Sequence, residues 1–226
     1  MAYEDFQNDY TEVDPNGRFT LATVKNTISG FQQNEAAYVY KDFTADYFNA
    51  LDVDVTLYVN SSSELYGQAG VAFANAVDDR SGFGSDALWA GISDRGLDSW
   101  ISLFRDYDKE NDYFNSEGLY AVYYISISRS AGGDGATCYI YDDSGRTNLV
   151  DTLSVSGFGT TKWRYCYGTS GQDAGATRPF TGYIENMDLS PAASTSIKSI
   201  NNLAKASVKA INNLPIASVK SWNNLA

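Results

Sequence analysis

Histidine is absent from all 226 residues. That removes Ser-His-Asp and Cys-His nucleophilic catalysis and most zinc sites. The side chains left to do chemistry are aromatic and acidic. Trp89, Trp100, Tyr107, Tyr113 and Trp163 stand near Asp94, Arg95, Asp98 and Asp106 in the chain. A sugar shows an apolar face and a rim of hydroxyls, so it needs an aromatic ring beside polar side chains. Trp89, Trp100 and Tyr107, with Asp94 and Arg95, are therefore the candidate carbohydrate-binding set. The competing reading puts these rings in the core or between copies of the chain. Cys138 and Cys166 sit in the strand-like runs ATCYIYDD and KWRYCYGT. They either face each other as a disulfide or sit as buried thiols, since pairing geometry is demanding. No catalytic residue is assigned.

Charge narrows the partners. No acidic residue follows Asp188, whereas Lys198, Lys205, Lys209 and Lys220 do, so the net −12 divides into +4 there and −16 before it. An acidic body argues against binding nucleic acid through phosphates. It suits solubility at high copy number and cation binding. The opening MAYEDFQNDYTEVD lacks the basic and apolar regions of a secretory signal. No run approaches the roughly 20 apolar residues that cross a membrane. Neither nucleic acid nor membrane is expected as a partner.

The elements that must hold these side chains read as strands. Tyr has 17 copies and Gly 19, while long helical patterns are few, which points to an all-β protein. LDVDVTLYV (51–59) alternates Leu51, Val53, Val55, Leu57 and Val59 with Asp52, Asp54, Thr56 and Tyr58, as in a strand with one buried face. RFTLATV (18–24), AAYVYKDF (36–43), GQAGVAFANAV (67–77), LWAGIS (88–93) and SWISLFRDY (99–107) are further candidates. LYAVYYISISRS (119–130) is the strongest, and DKENDYFNSEG (108–118) reads as a polar excursion. Strands every ~10–15 residues, with turns between them, predict a two-sheet sandwich over 1–190.

Residues 191–226 form a linker and three eleven-residue repeats: SIKSINNLAKA, SVKAINNLPIA and SVKSWNNLA. Each unit is too small to bury its own apolar side chains. On a helix of about 3.67 residues per turn, Ile197, Ile200, Leu203, Val208, Ile211, Leu214, Val219, Trp222 and Leu225 would form one stripe. The Asn-Asn pairs, the β-branched residues and Pro215 oppose a helix, where an internal Pro costs about 3 kcal/mol. Short extended segments turning at Asn-Asn fit better, because Asn tolerates left-handed backbone. In either form the stripe is an assembly surface.

DYTEVDPNGRFT, AYVYKDFTADYF, YAVYYISISR, TCYIYDD, LVDTLSV, KWRYCYGT and FTGYIENMDL together resemble the concanavalin A-like lectin/glucanase superfamily, specifically the laminin-G-like jelly rolls of phage structural and surface proteins. The C-terminal units resemble the VKSINGLA-type repeats of phage proteins, with Asn-Asn where Asn-Gly is common. The resemblance implies a concanavalin A-like jelly-roll β-sandwich followed by an extended β repeat tail. Glucanases of this fold carry paired carboxylates at i, i+2 and i+4 on one strand. Here Asp52 and Asp54 are followed by Thr56, and Glu185 and Asp188 have the wrong spacing, which counts against hydrolysis. Calcium sites on such folds use loop carboxylates, and Asp78, Asp79, Asp142 and Asp143 are of that kind. No other cofactor is implied.

Three functions follow. The first is a non-enzymatic bacteriophage virion protein, a capsid decoration or a tail or fibre component. Its lectin-like head would be attached to other virion proteins, or oligomerised, through the repeats. The second is an extracellular or cell-surface carbohydrate-binding lectin or adhesin, and the third is a glycoside hydrolase.

Overall fold

The computed structural model describes residues 3–32, 34–60, 68–94, 99–106, 110–116, 122–171 and 179–189, then 199–200, 203–204, 210–211 and 214–215. The chain divides into two compact units, Met1–Leu189 and Ser190–Ala226.

The first unit begins with a four-residue helix, α1 (Phe6–Asp9), capped by the Asp5 carboxylate on the Gln7 and Asn8 N–H groups. The strands follow in order: β1 (Thr11–Val13), β2 (Phe19–Ala22), β3 (Lys25–Gln32), β4 (Tyr38–Asp42), β5 (Leu51–Asn60), β6 (Gln68–Ala74) and β7 (Leu88–Asp94). Then come β8 (Ser99–Arg105), β9 (Glu110–Ser116), β10 (Val122–Arg129), β11 (Ala136–Tyr141), β12 (Leu149–Val155), β13 (Tyr165–Ser170) and β14 (Pro179–Asp188). They make two seven-stranded sheets. Sheet A runs β1-β4-β13-β6-β7-β8-β9, and sheet B runs β12-β11-β10-β5-β14-β3-β2.

The period-2 alternation builds the core between them. Val53, Val55, Leu57, Ile125, Ile127, Cys138, Ile140 and Ile184 come from sheet B, and Val71, Phe73, Leu88, Ile92, Ile101 and Leu103 from sheet A. Phe6 and Trp163 are fully buried in the same core. Arg129 is buried beside it, and its guanidinium donates to the carbonyls of Gly133, Thr161 and Gly159 while lying 4.5 Å from the Trp163 ring centre. The Glu4 N–H donates to the Met187 carbonyl at 2.7 Å, which brings the two ends of this unit together.

Two sequence expectations change. Residues 110–116, read as a polar excursion, are the edge strand β9 of sheet A. RFTLATV is not one strand: the chain reverses at Thr23-Val24, and Lys25–Gln32 returns as β3.

In the second unit, β15 (Ser199–Ile200) pairs with β16 (Leu203–Ala204), and β17 (Ala210–Ile211) with β18 (Leu214–Pro215). The extended reading of the repeats is therefore correct. Ile200, Leu203, Ile211 and Leu214 are hairpin residues with Asn-Asn between them in sequence. Ile197, Val208, Val219, Trp222 and Leu225 lie outside the described residues.

Candidate functional site: an aromatic band on the outer face of sheet A

Strand register sets one row of side chains across five strands of sheet A. Tyr40 on β4 pairs with Tyr167 on β13, Tyr167 with Ala72 on β6, Ala72 with Trp89 on β7, and Trp89 with Phe104 on β8. Tyr167, Ala72, Trp89 and Phe104 belong to a second apolar cluster apart from the main core, with Tyr40, Tyr38 and Tyr165 packed on its margin. Two glycines make room for the largest ring. A Cβ at Gly70 would fall 2.7 Å from Trp89 Cζ2, and one at Gly91 would fall 3.0 Å from it. The indole thus lies over a glycine floor.

The middle of this band is covered. Residues 75–87 fold back over it. Phe83 lies 4.5 Å from Tyr167, and the Arg80 guanidinium sits 4.8 Å from the Trp89 ring and 5.0 Å from the Phe104 ring. The cover is pinned along its length. The Tyr167 hydroxyl donates to the Ala76 carbonyl at 2.5 Å, Arg80 N–H to Gly171 at 2.9 Å, and Trp163 Nε1 to Asp86 at 2.6 Å. Beneath it, Arg80, Phe83, Ala87, Trp89 and Asp106 line a cavity of about 10 Å³, on the scale of one water. A sugar ring does not fit there.

Trp89 is consequently corrected as a platform residue: it is 3 % exposed under the cover. Trp100 lies beyond this cover. It is half-buried on β8 and packs against Tyr113 of β9, ring centres 4.4 Å apart, and Tyr113 is 52 % exposed. Exposed Asn115 is its cross-strand neighbour. Tyr107 and Arg95 lie outside the described residues, as does the side chain of Asp94. On the other side of the cover lies a patch that the sequence reading missed. Tyr38, Tyr40 and Tyr165 are half-buried there, with Tyr40 and Tyr165 edge-to-face at 5.8 Å. Burial first, and then the Asp78 charge, push the Tyr38 hydroxyl pKa up. Arg164 lies 5.0 Å from the Tyr165 ring and grips Asp42 with two hydrogen bonds of 2.8 and 2.6 Å. The signal was present in AAYVYKDF and KWRYCYGT, where alternation puts the tyrosines on one face and Val39 and Cys166 on the other.

The remaining candidates hold their own loops together. Asp79 takes the Ser81 N–H and hydroxyl, and the Asp78 carboxylate occupies the place where a Gly82 Cβ would be. Asp143 accepts from Gly145, Thr147 and Asn148, and Asp142 from Asn148 Nδ2. Among the described residues no three carboxylates or thiols group as a metal site. The disulfide is corrected: Cys138 on sheet B and Cys166 on sheet A are free, buried thiols, and Cys166 Sγ lies 3.9 Å from the Tyr10 hydroxyl.

Asp52 and Asp54 lie on the opposite outside of the sandwich. Asp54 accepts from the Ser126 hydroxyl and pairs with Arg146 at 3.4 Å. Asp52 is raised by burial, and then by the charges of Asp54 and Asp188. Aromatic band and paired carboxylates therefore share no cleft.

No protein-family model and no curated protein sequence matches the chain. Solved structures do. A legume lectin-like domain from Entamoeba histolytica aligns at 10 % identity and a TM-score of 0.53, over 83 % of this chain and 95 % of that one. The metal-free exoplasmic/lumenal domain of VIP36 aligns at 8 % identity and 0.51, over 81 % and 90 %. A botulinum neurotoxin type C structure aligns at 11 % identity and 0.50, over 82 % of this chain and 46 % of that one. The head thus has the legume lectin-like, concanavalin A-like β-sandwich fold.

Proposed function

We propose that this chain is a non-enzymatic structural protein of a virion, with a lectin-like head that contacts neutral glycan and a repeat segment that attaches it. The observation that carries the reading is the conjunction of a lectin fold with a hairpin register that recurs after eleven residues, Ile200 with Leu203 and then Ile211 with Leu214. A repeated attachment unit on a non-catalytic head is the organisation of a decoration or fibre component. Carbohydrate contact is supported by the two open aromatic patches, Trp100–Tyr113 and Tyr38–Tyr40–Tyr165. Among the fold neighbours, botulinum neurotoxin type C depends on interaction with two ganglioside molecules to get into cells. The acidic body favours uncharged sugars over sialylated ones. The absence of enzymatic activity is supported by Asp52 and Asp54 lying on the outside opposite the aromatic band.

The test has two arms. Deleting residues 196–226 should abolish incorporation into particles, and normal incorporation would overturn the structural role. On a glycan array the head should bind neutral glycans, with Trp100→Ala and Tyr113→Ala losing about tenfold or more in affinity, equivalent to roughly 1.4 kcal/mol. A binding head without particle incorporation would favour the second reading, a cell-surface adhesin, which the same aromatic patches support.

A further inference from the structure

We infer that the C-terminal repeats pair with the same repeats of other copies of this chain, strand edge to strand edge, like unit on like unit. The inference rests on the reading of these repeats as an attachment segment and names their partner. Each described hairpin is a sheet of two strands. A two-stranded hairpin by itself is marginal in water, where three or more strands with an apolar face are needed. A sheet edge offers N–H and C=O groups on which another strand can pair. What fits a surface that recurs every eleven residues is another surface with the same recurrence. A second copy supplies it without any further specification, and copies related by a rotation axis present like residues at like height.

Pro215 gives the assembly a direction. It has no N–H, so the hydrogen-bonded pair of the second hairpin is Ile211–Leu214, and Ala210–Pro215 is the non-hydrogen-bonded pair. In that arrangement the N-atoms of residues 210 and 215 look outward. The Pro215 edge has no donor at that point, whereas the Ala210 edge does. Growth past Pro215 is blocked, which favours a small closed assembly over a fibre. The first hairpin has Ala204 at the equivalent position.

The charge pattern separates this partner from an acidic one. Lys198, Lys209 and Lys220 recur at the repeat spacing with no carboxylate among them. Pairing like unit on like unit brings lysines near lysines, so screening strengthens it and association rises with salt. Docking of the same lysines on an acidic surface would weaken with salt.

The experiment uses the full chain in sedimentation equilibrium at low and at high salt. We expect a discrete oligomer whose association tightens with salt and disappears when the chain stops at Pro191. Proline at both outward-looking positions, Ser199→Pro with Ala210→Pro, leaves each hairpin its own hydrogen bonds and should weaken association about tenfold or more. Pro215→Ala should shift the population to larger species. A full chain that stays monomeric, an association that weakens with salt, or a double-proline variant that associates like the parent would overturn the inference. A monomeric chain that still enters particles through residues 196–226 overturns it while leaving the attachment role standing. If truncation changes neither property, both fall.

Discussion

The Arg80 guanidinium lies 4.8 Å from the centre of the Trp89 ring, and this contact decides what Trp89 can do. An indole on the outer face of a lectin-like sheet would be an open platform, but here a cation and a pinned loop occupy its free side. Arg80→Ala removes the contact and the guanidinium lying against Phe104. Loss of about 1–2 kcal/mol is expected from the cation–aromatic contacts. Acrylamide quenching should gain one accessible tryptophan, and unchanged quenching would show the cover to be held without Arg80.

Gly70 tests the floor beneath the same ring. A Cβ there would meet the Ala90 carbonyl oxygen at 2.5 Å and Gly91 Cα at 2.7 Å, besides the indole. Backbone cannot retreat as a flexible side chain can. Gly70→Ala should therefore cost about 1–3 kcal/mol, in the range of core overpacking. Thermal unfolding should drop by several degrees, whereas Gly17→Ala, with open space around it but a φ of +66°, should cost less.

The two thiols should be silent in the native state. Burial pushes Cys138 up to about 12, and burial followed by the Glu4 charge pushes Cys166 higher still. A thiolate-dependent reagent should label neither at pH 8 and both in denaturant, at a rate set by unfolding. Rapid native labelling, or an oxidised pair resistant to reagent after unfolding, would contradict the free-thiol arrangement.

Acid should find the Asp42–Arg164 pair. The hydrogen bonds from Arg164, then that from Thr44 N–H, lower Asp42 from 3.8 to about 2. A depressed folded-state pKa contributes stability that is present above the unfolded value and is lost as pH falls through the folded one. Asp42→Asn should thus be less stable than the parent at pH 6, with the gap closing as pH falls through about 2 and gone near pH 1. The gap is small, because both side chains are 42 % exposed and screened by water. Denaturant curves that stay apart near pH 1 would assign the effect to packing instead.

The strands that the sequence announced are those with one wet and one dry face. LDVDVTLYV alternates because β5 lies in mid-sheet with the core on one side only. ENDYFNS does not alternate legibly, since β9 is an edge strand and, among its described side chains, Phe114 is the one packed on the core. Trp89 misled for another reason. LWAGIS shows two apolar faces, and sequence has no means of saying that residues 75–87 return to cover the second. The same blindness hid Tyr40 and Tyr165, far apart in the chain, whose rings meet through the β4–β13 pairing. The hairpins at Asn-Asn were legible because their signal is local.

The 2.7 Å bond from Glu4 to Met187 gives the head a property of cassettes: its two ends leave from one spot. Such a body can be spliced into a surface loop of another protein, or permuted by joining residue 189 to residue 3 and opening the chain at the exposed Ser144-Gly145 turn, with every strand pairing kept. For gene shuffling this is an easily moved part. The aromatic patches of sheet A travel with it, whatever scaffold it is inserted into.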